Sequence, residues 1–190
     1  MRVERVDLTT LFGETTTGQR QPVFGVMRIR TDQGATGIGR FYAGHRPLIE
    51  ETLAPLLIGE NPLNTERLWE KMYAVAGTGG RDARATVGAI GGLDIALWDL
   101  KGKLLGCPLH RLLGGFRDDI PVYADGGMFA RGPRGHAEWS ARQVGDGFEA
   151  VKYHVMGEDP DQIVETVRQI RQVPLLLLLT RKLNDVVGAQ

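Results

Sequence analysis

The stretch AIGGLDIALWDLKGKLLGCPLHRLLGG, residues 89–115, carries Ile90, Leu93, Leu97, Leu100 and Leu104 at steps of three and four. That spacing predicts a helix over about 82–105 with one continuous apolar stripe. Gly106 falls just past its end and Pro108 follows, the usual stop signals. Asp94 and Asp99 are five positions apart, which separates them by about 140° around the axis. They are read as structural, with Asp99 and Lys103 as an i,i+4 ion pair. Cys107, the single cysteine, sits in the helix-ending turn and is read as a packing residue.

Upstream, residues 2–11, 23–31 and 35–42 read as three strands of an antiparallel meander, with DQG at 32–34 as turn chemistry. The segment 13–22, GETTTGQRQP, is polar and glycine-flanked, and is expected to be a mobile loop. Two helices should follow. RPLIEETLAPLL, 46–57, has Leu48, Ile49, Thr52, Leu53 and Leu56 at helical spacing. NTERLWEKMYAVA, 64–76, has Asn64 as N-cap and Leu68, Met72 and Val75 on one face.

Downstream the rhythm changes. IPVYADGG (120–127) reads as a strand, HAEWSARQV (136–144) as a helix, and FEAVKYHVM (148–156) as a strand. DPDQIVETVRQIRQV (159–173) reads as a helix with Asp159 as N-cap, Pro160 at its first position and Gln162 completing a capping-box-like pair. PLLLLL (174–179) reads as a third strand. Strand–helix–strand–helix–strand with short links implies parallel pairing. The domain boundary is placed near residue 118, giving domains 1–118 and 119–190.

Lysine plus arginine and aspartate plus glutamate both total 23, so the formal net charge is zero. A nucleic-acid or anionic-membrane binder would show a basic excess, so neither partner is expected. No run of about 18 apolar residues reads as a membrane span, and MRVERVDLTT lacks a signal peptide's apolar core. One cysteine fits a reducing compartment, and the chain is expected to be cytoplasmic. GTGG at 77–80 is not followed by Lys-Ser/Thr, and GATGIG misses the dinucleotide spacing, so neither is a phosphate-binding loop.

The order of parts, with DIALWDLKGK, Gly-x-Pro and LLGG within 89–115, resembles the enolase superfamily in its mandelate racemase and muconate-lactonizing branch. The resemblance covers residues 1 to about 173. It implies an α+β N-terminal capping domain followed by the first units of an incomplete (β/α) TIM-type barrel. It also implies proton abstraction next to a carboxylate, assisted by Mg²⁺, with sugar-acid dehydration or racemisation as the leading chemistry and a muconate-type cycloisomerase as an alternative. Family members present Lys-x-Lys or a variant on the second barrel strand, so Lys152 and His154 are the implied catalytic pair. Lys152 would lie near the substrate carboxylate and His154 at the base position. Histidine suits that task, since its reference pKa is about 6.5. The competing reading is a solvated strand face with the valines facing inward. Arg20, Tyr42 and His45 fall in stretches resembling the two capping loops that choose substrate, and are the implied substrate-binding residues; ordinary surface loops are the alternative.

The tail departs from that pattern. The family's metal ligands are acids at the ends of the third, fourth and fifth barrel strands, whereas here leucines run into Thr180, Arg181 and Lys182, with Asn184 and Asp185 beyond. The tail from about 174 is therefore read as atypical, from a frameshifted or early-ended reading frame. No metal ligand is assigned, no tight Mg²⁺ binding is expected of this chain, and a non-catalytic remnant that self-associates is the alternative to an active enzyme.

Overall fold

The computed structural model describes residues 1–14, 18–76, 83–126, 132–155, 159–174 and 176–181. The chain divides into two compact units, Met1–Asp118 and Asp119–Gln190.

The first unit opens with an antiparallel sheet of β1 (Val3–Glu14), β2 (Arg20–Thr31) and β3 (Thr36–Tyr42), in that order. The expected loop at 13–22 is mostly strand: β1 and β2 pair out to Gly13↔Gln21 and Glu14↔Arg20. The polar sequence there reflects a ribbon exposed on both faces, and Thr15–17 lie outside the described residues. Further along, alternation is clear. Met27 and Ile29 on β2 and Phe41 on β3 are fully or almost fully buried, while on the opposite face Arg30 pairs with Asp7 at 2.6 Å.

Residues 46–57 are helical but not one regular helix. A 3₁₀ turn (Ala43–His45) leads into α1 (Arg46–Leu48), a π-helical turn (Ile49–Leu53) and α2 (Ala54–Leu57). Pro55 has no N–H and its ring crowds the carbonyl four residues back, so the ladder widens and Ala54 N–H donates to the Ile49 carbonyl. Ile49, Leu53 and Leu57 are the buried positions. Helix α3 (Thr65–Ala76) buries Leu68 and Met72, but Val75 is exposed. Trp69 and Tyr73, stacked at 4.9 Å, complete its packed side.

Helix α4 (Ala83–Leu104) carries the decisive stripe: Ile90, Leu93, Leu97 and Leu100 have no exposed surface, and Leu104 is partly buried. The helix lies against β3 almost backbone to backbone. A Cβ on Gly37 would strike the Ala96 carbonyl, one on Gly39 the Gly92 carbonyl, and one on Gly92 the Arg40 carbonyl. Asp99 fastens the seam. Its Oδ2 accepts from Ile38 N–H at 2.7 Å and from Lys103 Nζ at 2.6 Å, and Lys103 also reaches the Thr36 carbonyl. The turn after α4 uses Gly106 at φ +60 and leads into α5 (Leu109–Leu112).

The second unit is a parallel sheet of β4 (Ala124–Asp125), β5 (Ala150–Val155) and β6 (Leu176–Arg181), in that order, with α6 (Gly132–Gly145) and α7 (Pro160–Ile170) as connections. The first strand is shorter than expected, because residues 120–123 are not in the ladder. Asp159 caps α7 through its side chain, which accepts from Asp161 N–H, and Pro160 opens the helix. Ala124, Val151, Tyr153 and Ile170 form the core, with Trp139 and Phe148 packed against them. The third strand runs past the leucines into Thr180 and Arg181. Asn184 and Asp185 lie outside the described residues.

Candidate active site

Side chains alternate along β5. Val151 and Tyr153 are buried, and the Tyr153 ring meets His136 of α6 edge-on at 4.5 Å, so that face packs on the helices. Lys152 and His154 therefore project from the opposite face. The parallel register sets Asp125 of β4 beside Lys152. One carboxylate joins all three residues: Lys152 Nζ lies 3.3 Å from Asp125 Oδ2, and His154 Nε2 lies 3.0 Å from Asp125 Oδ1. The two basic side chains are only 20% and 24% exposed and the carboxylate 46%, so this is a partly desolvated cluster at the C-terminal ends of parallel strands. Ligands of α/β sheets bind at such ends.

Asp125 is the member that sequence reasoning missed. It reads only as part of a strand that ends in glycines; the pairing of β4 with β5 is what brings it to Lys152 and His154.

Tyr42 and His45 come together in the first unit, with ring centroids 5.7 Å apart. With Arg84, Ala85 and Gly88 they line a cavity of about 300 Å³. His45 Nδ1 is buried there without a hydrogen-bond partner among the described residues. A Cβ on Gly88 would come within 2.9 Å of the His45 ring, so glycine leaves the ring its place. Arg20 is not part of this group. It lies four residues along β2 from Phe24, the register partner of Tyr42, about 13 Å away, and its guanidinium rests on the Phe12 ring at 4.6 Å.

Among the described residues, no three His, Cys, Asp or Glu side chains converge as a metal site. The one carboxylate beside Lys152 and His154 is shared between two basic groups. A hard ion such as Mg²⁺ wants about six oxygens in octahedral order. The described residues do not fit it, and no chemistry is routed through an ion here.

Residues 6–114 match the family described as "Mandelate racemase / muconate lactonizing enzyme, N-terminal domain". The chain is 37% identical over 132 residues to a D-xylonate dehydratase of Haloferax volcanii, an overlap of 67% of this chain and 32% of that protein. It is 38% identical over 138 residues to a D-mannonate dehydratase of Novosphingobium aromaticivorans, covering 70% and 31%. A 3,6-anhydro-alpha-L-galactonate cycloisomerase of Streptomyces coelicolor matches at 33% over 176 residues, covering 88% and 48%. Among solved structures, a mandelate racemase/muconate lactonizing enzyme from a marine actinobacterium, in complex with magnesium, superposes with a TM-score of 0.80 at 26% identity, over 94% of this chain and 51% of that one. The chain thus spans from about a third to about half of the length of these proteins.

A three-stranded meander with a helical layer, followed by the first β/α units of a barrel, defines a protein of the enolase superfamily. Within it, the chain belongs to the mandelate racemase and muconate-lactonizing enzyme family.

Proposed function

We propose that the strand ends bearing Asp125, Lys152 and His154 are the proton-abstracting side of a sugar-acid dehydratase or racemase site. The observation that carries this reading is the pairing of Lys152 and His154 on the sheet face away from the helices. The family relationship supports it, since relatives of this chain include D-xylonate and D-mannonate dehydratases. In this reading the Lys152 ammonium receives the substrate carboxylate and His154 removes the proton from the carbon next to it. The electron pair released passes into the carboxylate as an enediolate. Loss of the β-hydroxyl with a proton completes dehydration; return of a proton to the opposite face completes racemisation. Tyr42 and His45, which line one cavity of the first unit, and Arg20, at the β1–β2 hairpin, stay candidate substrate-binding residues.

The cation that the structure describes beside His154 is Lys152, and no metal cluster accompanies it among the described residues. This chain by itself is therefore proposed to bind the acid without turnover. Titrating ¹⁵N-labelled protein with D-xylonate or D-mannonate should move the side-chain signals of Lys152 and His154, and Lys152→Ala should abolish the response. Unmoved signals would discard the site. In a chain carrying a complete barrel, His154→Ala should abolish exchange of the substrate α-proton into deuterated water; retained exchange would put the base elsewhere. Cycloisomerisation is the second reading, favoured by the overlap of 88% of the chain with an anhydrogalactonate cycloisomerase. It would begin with the same proton abstraction.

A further inference from the structure

We propose that the cavity beside Tyr42 and His45 in the first unit is a carboxylate pocket, where Arg84 and His45 hold a small organic anion other than the acid assigned to Lys152. It shares one premise with the reading of Tyr42 and His45 as substrate-binding residues, that this cavity takes a ligand, and the two can fail separately. The juxtaposition is local to one unit. Tyr42 ends β3 and His45 lies in the 3₁₀ turn that follows, while Arg84, Ala85 and Gly88 on the first two turns of α4 form the other wall of a space of about 300 Å³.

His45 lacks a partner that a ligand would supply. Its Nδ1 is buried and has no hydrogen-bond partner among the described residues. A buried polar nitrogen left unpaired costs free energy, and nearly all such groups in folded proteins are satisfied. Helix α4 leaves room beside this ring. A Cβ on Gly88 would sit 2.9 Å from His45 Cε1, 3.7 Å from Nδ1 and 3.8 Å from Nε2. Glycine therefore keeps open the place next to the ring edge that carries both nitrogens.

Arg84 decides the sign of the ligand. A guanidinium only donates, and its planar fork matches a carboxylate, two N–H groups to two oxygens. No carboxylate is among the described residues that line the cavity. Arg40, whose guanidinium lies 5.4 Å from the centre of the Tyr42 ring, adds a second positive charge next to that residue. Beside these cations an anionic oxygen is the natural counterpart, and His45 Nδ1 meets it as an N–H donor. The Tyr42 ring, Ala85 and Gly88 leave carbon-lined room for a short hydrocarbon body, as in small-ligand pockets generally.

The test is titration of the ¹⁵N-labelled full chain with succinate and, in parallel, with its neutral diamide, reading the His45 ring nitrogens and the Arg84 Nε–H. Succinate should move both along one saturating curve, and the diamide should move neither. Arg84→Gln, at an exposed helix position, should weaken the His45 response about tenfold, the scale of one charge-assisted hydrogen bond. Gly88→Ala should weaken it too, by filling the place beside the ring. Gly91→Ala, on the same helix but with nothing within 4 Å of the added carbon, should leave it unchanged, and so should Lys152→Ala. Equal responses to succinate and the diamide would overturn the carboxylate assignment while the cavity remained a ligand site. No response to either would remove both. A His45 response that survives Arg84→Gln at full strength, or that vanishes in Lys152→Ala, would overturn the proposal by placing the anion elsewhere.

Discussion

Burial pushes the Asp94 carboxyl above its ordinary range, and Glu66 adds to the shift. A carboxyl whose folded pKa is raised binds its proton more tightly when folded, so stability falls as pH rises through the window above the ordinary carboxylate value. Asp94→Asn should therefore stabilise the protein at pH 7 and lose that advantage near pH 3; urea titrations at the two values check it. An advantage that persists in acid would assign the effect to packing. Asp94 also shows how residue identity was legible. Its five-residue distance from Asp99 excluded a shared catalytic site, and Asp99 proved to be the clamp between α4 and β3. Lys152 and His154 were legible as a pair through the resemblance, and two-residue spacing in a strand puts them on one face. Asp125 was not legible, because its partners lie 27 and 29 positions away and nothing local announces the parallel register.

At the scale of elements, long periodic segments were readable and short or ribbon-like ones were not. The α4 stripe is buried as its spacing required. Leu97→Ala should cost about 2–5 kcal/mol in chemical denaturation, the range for a fully enclosed leucine. The α4–β3 seam adds a test with opposite chemistry. Gly39→Ala adds one methyl where the Gly92 carbonyl already stands, and should destabilise by about 1–3 kcal/mol, the usual range for overpacking. A neutral effect would mean that the helix can withdraw from the strand. The β1–β2 pairing was legible, but its outer end at 13–14 and 20–22 was read as loop, because a ribbon with both faces in solvent has no apolar alternation. Residues 46–57 were legible as helical, but the wider π turn before Pro55 depends on the loss of one N–H. Val75 failed because α3 turns Trp69 and Tyr73 toward the core instead.

For the whole molecule, ligand number sets the expectation for metal. Calorimetric titration with Mg²⁺ or Mn²⁺ should show no tight stoichiometric binding, and a panel of sugar acids should show no dehydration by the purified chain. A tight site would mean that ligands lie outside the described residues. Among the described residues no helix is long and apolar enough to cross a membrane. Self-association is proposed from Ile120 and Val122, 72% and 66% exposed beside the short edge strand β4, and sedimentation across a concentration series should reveal it. The division at Asp118 also orders events in time. Every buried residue of the first core comes from residues 3–100, a contiguous segment. At roughly 5–20 residues per second of synthesis, the meander and α4 have seconds to close before β6 has been translated. Protein biogenesis would thus deliver a finished N-terminal half first, and a ribosome stalled beyond codon 150 should already display it in protease-resistant form.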